Sequence, residues 1–223
     1  MSVQSPPTIV RLMRVTDHLA DAGQRAKHWE EVYEGSDPGA VSWYQAEPVV
    51  SLELVEALGV TPEATVLDIG GGASVFVDRL LTRGFVDLTI LDISDTALRA
   101  SRQRVGNDPR VAWITEDLLS WEPTRPFDLW HDRAVFHFLA GGEVDTYRNV
   151  MGLAVAPGGS VIMATFAPDG PEQCSGLPVT RYSADELGAA LGSGFQVVEQ
   201  RREVHTTPSG AVQPFTWVAA RRS

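Results

Sequence analysis

Val66-Leu-Asp-Ile-Gly-Gly-Gly-Ala-Ser74 is the stretch from which the fold of this 223-residue chain can be read. A short apolar run ends beside an acid, three glycines follow, and a small polar residue opens an amphipathic segment. That order predicts a buried strand, a tight turn and the start of a helix. Glycine has no Cβ, so the turn can reach positive φ and let a ligand come close. A helix start beside it leaves N–H groups free for a polar or anionic ligand. The turn therefore reads as the floor of a nucleotide-type pocket.

Working outward, the pattern repeats. Strands are expected at 65–69, 88–91, 111–114, 127–130 and 160–166. Helices are expected at 48–58, 74–83, 94–105 and 143–156, the last stopped by Pro157-Gly-Gly159. Ser94 can cap its helix, and Ser183-Ala-Asp-Glu186 is a capping box opening a helix to about residue 191. Two strands in succession, 195–205 and 213–221, predict an antiparallel pair at the end of the sheet. Upstream, Leu19, Ala22, Ala26, Trp29 and Tyr33 recur at helical spacing over 17–33. The fold class is α/β, a three-layer sandwich around a seven-stranded, mainly parallel sheet with a C-terminal antiparallel hairpin. Residues 1–47 read as an N-terminal arm and aromatic lid, and 48–223 as one Rossmann-like unit.

Composition narrows the partners. The net charge is −11, so the basic footprint of a nucleic-acid binder is missing. No apolar run approaches membrane-spanning length. Met1 to Thr8 carries no signal-peptide pattern, and the lone Cys174 suits a reducing compartment. Together these point to the cytoplasm.

In a parallel sheet, ligands sit beyond the carboxyl ends of the strands. Here that selects Gly70, Gly71, Gly72, Asp92, Asp117 and the run His131-Asp132-Arg133. Asp92 can accept both hydroxyls of a ribose. Asp117 can accept from an adenine amino group while Leu118 covers the ring. Alternatively, Asp92 caps a helix and Asp117 is a solvated loop acid. A P-loop needs Gly-Lys-Ser/Thr, and the only lysine is Lys27. A dinucleotide oxidoreductase expects a third glycine, which Val75 replaces, and no Tyr-x-x-x-Lys pair follows any tyrosine. A methyl donor with one adenosine and no phosphate suits an acid-lined pocket better. No metal is called for.

Asp68-Ile-Gly-Gly-Gly, Asp92-Ile-Ser, Glu116-Asp-Leu, Phe127-Asp-Leu-Trp and Pro157-Gly-Gly together resemble class I S-adenosylmethionine-dependent methyltransferases, over residues 28 to 220. Gly71 and Ala73-Ser74 depart from the usual turn but keep its side chains small. Trp29-x-x-x-Tyr33 followed by Trp43-Tyr44 is similar to a subgroup that includes lysine methyltransferases of elongation factor and citrate synthase. Taken alone, these four aromatics either pack a helix on the sheet or cover a pocket. The resemblance implies the second, with cofactor contacts at Trp29, Tyr33, Trp43 or Tyr44, Gly70, Asp92, Ile93, Asp117, Leu118 and Arg133, and Asp68 beside the glycine turn is a further cofactor candidate.

Methyl transfer is an in-line displacement, and it needs a base only where the acceptor must lose a proton. His131, Asp132 and His137 are the candidates, although His137 also reads as a core histidine. Cys174, Arg181 and Tyr182 in the 167–181 connector and its edge, with His205, are candidates for facing the acceptor. Asn/Asp-Pro-Pro-Tyr/Phe and a Pro-Cys nucleophile are both absent, which argues against nucleobases. The expected activity is methyl transfer to a small molecule or a protein side chain. A nicotinamide-dependent oxidoreductase is the alternative.

Overall fold

The computed structural model describes residues 21–223. The expected arm at 1–16 and the first residues of the 17–33 helix lie outside them. Within them, helix α1 spans Ala22–Glu34, and the Asp21 side chain caps it by accepting from Gly23 N. A turn-rich segment carrying Trp43 and Tyr44 leads to α2, Val49–Ala57, entered through Pro48.

From there strands and helices alternate: β1 Thr65–Ile69, α3 Phe76–Thr82, β2 Asp87–Asp92, α4 Asp95–Val105, β3 Val111–Thr115 and β4 Phe127–Arg133. Then come α5 Gly142–Ala154, β5 Val155–Phe166, a small hairpin of β6 Gln173–Cys174 and β7 Leu177–Pro178, α6 Ala184–Ala190, β8 Phe195–Thr206 and β9 Val212–Arg222. The Ser94 cap and the Ser183–Glu186 capping box both form as expected.

The main sheet runs β3-β2-β1-β4-β5-β9-β8, with β9 antiparallel to both neighbours and the other pairings parallel. β1 is paired with β2 on one side and β4 on the other, so chain order reverses there. A crevice opens beyond the carboxyl ends of strands at such a reversal. Alternating side chains feed two cores. Leu129, Ile162, Phe166 and Trp217 face α2 and α3, while Trp130, Met163 and Val218 face α5 and α6.

Three expectations change. β4 continues past Trp130 to Arg133, so His131, Asp132 and Arg133 belong to the strand and alternate between its faces. Helix α5 ends at Ala154, and Pro157-Gly-Gly159 lies within β5. There the pairing passes from Phe127↔Val155 to Leu129↔Ser160, so residues of β5 are looped out of register. Gly158 has φ 73°, and a Cβ on Gly159 would lie 2.8 Å from Ala156 O. The 167–181 connector is not wholly irregular. It folds back through Ser175 (φ 50°) and Gly176 (φ 78°) into the β6–β7 hairpin.

Candidate active site

The glycine turn lies beside two buried carboxylates. A Cβ on Gly71 would approach Asp68 Oδ2 to 2.3 Å and Ile90 Cγ2 to 2.7 Å. One on Gly72 would approach Asp92 Oδ2 to 2.6 Å, with the Tyr33 hydroxyl 3.3 Å away. Asp92 Oδ1 accepts from Ser94 N at 2.9 Å. Burial pushes the Asp92 carboxyl up to about 7, and the carboxylates of Asp68 and Glu30 push the same way against the Ser94 hydrogen bond.

A cavity of about 130 Å³ opens over this turn. Gly70, Asp92, Ile93, Asp117 and Leu118 line it from the strand ends, and Trp29, Tyr33 and Trp43 from the N-terminal segment. Arg133, Phe138 and Cys174 also line it. A second chamber of about 50 Å³ shares Tyr33, Trp43, Gly70 and Arg133 with the first. It adds Asp68, Gly71, Tyr44, Ser51 and His131. Ala134, next to Arg133 in the wall of the larger cavity, holds φ 75°, a conformation that costs a non-glycine residue about 1–3 kcal/mol and clusters at functional sites.

The roof is tied down at several points. Trp29 meets Phe138 edge-on at 5.1 Å and Trp43 at 6.1 Å. Glu30 caps α4 by accepting from Asp95 N at 2.6 Å. Arg25 donates to Asp117 Oδ2 from Nε (3.0 Å) and Nη2 (2.7 Å), and to Glu143 Oε1 from Nη1 (3.1 Å). Asp117 Oδ1 accepts from Leu119 N. Asp117 is thus no solvated loop acid.

All three base candidates are buried. His131 is buried, with Nδ1 2.7 Å from Asp68 Oδ1 and Nε2 2.9 Å from Ser51 Oγ, and its ring stacks on Phe76 at 4.1 Å. Both ring nitrogens are engaged. Asp132 points to the other core, accepting from Tyr147 Oη (2.6 Å) and Val135 N (2.8 Å). Burial lifts its carboxyl to about 6. His137 is fully buried, its Nδ1 faces Phe166 N, and burial followed by the Arg133 charge lowers it to about 3. It is the core histidine of the alternative reading, and it borders neither chamber.

Of the four acceptor candidates, only Cys174 borders a chamber, and burial raises its thiol to about 11. Arg181 turns to Glu172 and Gly170 O. Tyr182 packs on Phe136, in the opposite core. His205 Nε2 sits 2.8 Å from Ser42 O, holding the segment below the roof. Sequence reasoning missed Arg25, Ser51 and Phe138. Trp29 had helical spacing to signal it, but nothing local marks the residues it meets.

Strand order β3-β2-β1-β4-β5-β9-β8 in the main sheet, a glycine turn after the first strand and an acid ending the second define the class I methyltransferase fold. Residues 66–159 match the family model described as "Methyltransferase domain". The chain is similar to a probable thiol methyltransferase 2 of Arabidopsis thaliana, 28% identical over 176 residues, covering 76% of this chain and 74% of that one. It is also similar to EEF1A lysine methyltransferase 4 of Mus musculus, 23% identical over 188 residues, covering 77% and 72%. The 1,6-didemethyltoxoflavin-N1-methyltransferase of Burkholderia thailandensis, solved with S-adenosylhomocysteine, shares the fold at TM-score 0.70 and 22% identity, covering 92% of each chain. The chain is an S-adenosylmethionine-dependent methyltransferase, and S-adenosylmethionine is its cofactor. The oxidoreductase alternative finds no support. Among the described residues no helix is long and apolar enough to cross a membrane.

Proposed function

We propose that the two chambers hold S-adenosylmethionine across the glycine turn and that the acceptor is a small molecule entering beside Phe138 and Cys174. One observation carries this reading. A single cavity gathers Gly70, the strand-end residues Asp92, Ile93, Asp117 and Leu118, and the aromatics Trp29, Tyr33 and Trp43, residues far apart in the chain.

The residues fit the cofactor's chemistry. The buried Asp92 carboxylate suits a ribose diol, and Ile93 and Leu118 suit the faces of an adenine. Asp117 has about four acceptor positions, three of which are used, leaving one for an amino group. Asp68, held by His131, suits an ammonium group in the second chamber, where Gly71 and Tyr44 complete the wall. Bound there, the cofactor would supply a methyl carbon already activated by its sulfonium.

The chain's own contribution is alignment and exclusion of water. Trp29, Tyr33 and Trp43 roof the site, and residues 21–47 act as its lid. Among the described residues no histidine borders the larger cavity, and of its carboxylates Asp92 and Asp117 are committed to the contacts above, while Glu116 is not. The acceptor therefore arrives already nucleophilic, or loses its proton to Glu116 or to solvent. The closed roof favours a small acceptor over a protein side chain. The single thiol, buried, suits a cytoplasmic setting.

The test of the acceptor class is incubation with methyl-labelled cofactor and a lysate split into metabolite and protein fractions. Label in the metabolite fraction is expected, and label confined to protein would overturn the small-molecule reading. The lid makes a further prediction. Arg25→Ala should release S-adenosylhomocysteine about tenfold faster in stopped-flow fluorescence, because it frees α1 from the loop that follows β3 and from α5. An unchanged off-rate would show that these contacts do not hold the roof.

A further inference from the structure

Arg133 stands at the end of β4, bordering both chambers. Its guanidinium lies over the Phe215 ring, 4.6 Å from the centroid, and Nη1 donates to Trp43 O at 2.8 Å. Nε and Nη2 are buried and have no hydrogen-bond partner. These two nitrogens form one edge of the planar group, the edge that meets a carboxylate side-on with two parallel bonds.

This chain uses the same edge elsewhere. Arg25 presents Nε and Nη2 to a single oxygen, Asp117 Oδ2, at 3.0 and 2.7 Å. Arg110 presents the pair to Asp108 at 2.9 and 2.6 Å. At Arg133 the edge is made and no carboxylate meets it. Glu203 acts on Arg133 only electrostatically, because its oxygens are held by Trp217 Nε1 and Gln45 Nε2. A buried cation without a partner is costly, and an anion that reaches it recovers much of that cost.

We propose that the Nε–Nη2 edge of Arg133 is a carboxylate fork. The inference rests on the cofactor pocket proposed above. Two carboxylates can reach this wall, that of the cofactor's amino-acid end and that of an acceptor. Phe215 fixes the plane of the fork and Trp43 O fixes its rotation, so the ligand meets a preset geometry.

Calorimetry on the full chain separates the two sources. The first arm compares S-adenosylhomocysteine with its methyl ester, which keeps the ammonium and loses the carboxylate charge. If the fork holds the cofactor, the wild type binds the acid about tenfold tighter than the ester, and Arg133→Gln and Arg133→Lys abolish that difference. Lysine keeps the charge but cannot make the paired bonds.

If acid and ester bind alike, the second arm titrates the S-adenosylhomocysteine complex with benzoate, succinate and trans-aconitate. Binding that Arg133→Gln removes assigns the fork to the acceptor. No discrimination in the first arm and no carboxylate binding in the second overturns the proposal. A wild type that binds neither nucleoside overturns the pocket reading instead. The carboxylate titration on the free protein then decides the fork by itself. Should Arg133→Gln fail to fold, the wild-type ester comparison and Arg133→Lys still decide.

Discussion

Asp92→Ala is expected to weaken S-adenosylhomocysteine binding by about a hundredfold or more, since two hydroxyl hydrogen bonds to a carboxylate are lost at about 1.5–3 kcal/mol each. The same site sets a pH dependence. Burial, aided by Asp68 and Glu30, brings the Asp92 carboxyl to about 7 in the ligand-free protein. A ribose diol donates to the ionised form, so binding favours it. Affinity is then flat above pH 7 and falls as pH drops below it, being about tenfold weaker at pH 6 than at pH 8. Asp92→Asn should remove that slope. Titration calorimetry from pH 5.5 to 8.5 reads both effects. Unchanged affinity in Asp92→Ala would remove Asp92 from the site.

His131→Ala should lower stability by about 4 kcal/mol, the sum of leaving the Asp68 carboxylate unsatisfied and opening a cavity between Phe76 and Trp217. For a chain of this size the melting temperature falls by about 10 °C. Ser51→Ala, which removes only the outer hydrogen bond of the Ser51–His131–Asp68 chain, should cost about 1 kcal/mol. Scanning calorimetry checks the series. A His131→Ala protein that melts like the wild type but has lost turnover would restore His131 as a base. The structural role predicts the reverse, lost stability together with weakened cofactor binding through Asp68.

These expectations follow from what local pattern does and does not carry. The run 65–69, the three glycines after it and the Ser94 and Ser183 caps could be read from the sequence, because each depends on residues within a few positions of one another. The alternation of strands and helices, and the closing antiparallel pair, followed from hydrophobic period and turn residues. So did the place of the pocket, since a parallel sheet puts its crevice at the strand ends.

The end of β4 could not be read in that way. Hydrophobicity stops at Trp130, so His131, Asp132 and Arg133 look like loop residues, yet they continue the ladder on β1 and β5. What buries them comes from elsewhere in the chain: Ser51 and Asp68 for His131, Tyr147 for Asp132, Trp43 and Phe215 for Arg133. Arg25 finds Asp117 only because α1 packs on α4, beside the loop that follows β3. The sequence alone determined the strands and the turn, because those rest on local period and on backbone freedom, and its motifs pointed to the cofactor by their resemblance to a known family. The tertiary structure alone decided which polar residues border the two chambers and which are sealed in the core, because burying a charge depends on partners that only the fold brings within hydrogen-bond reach.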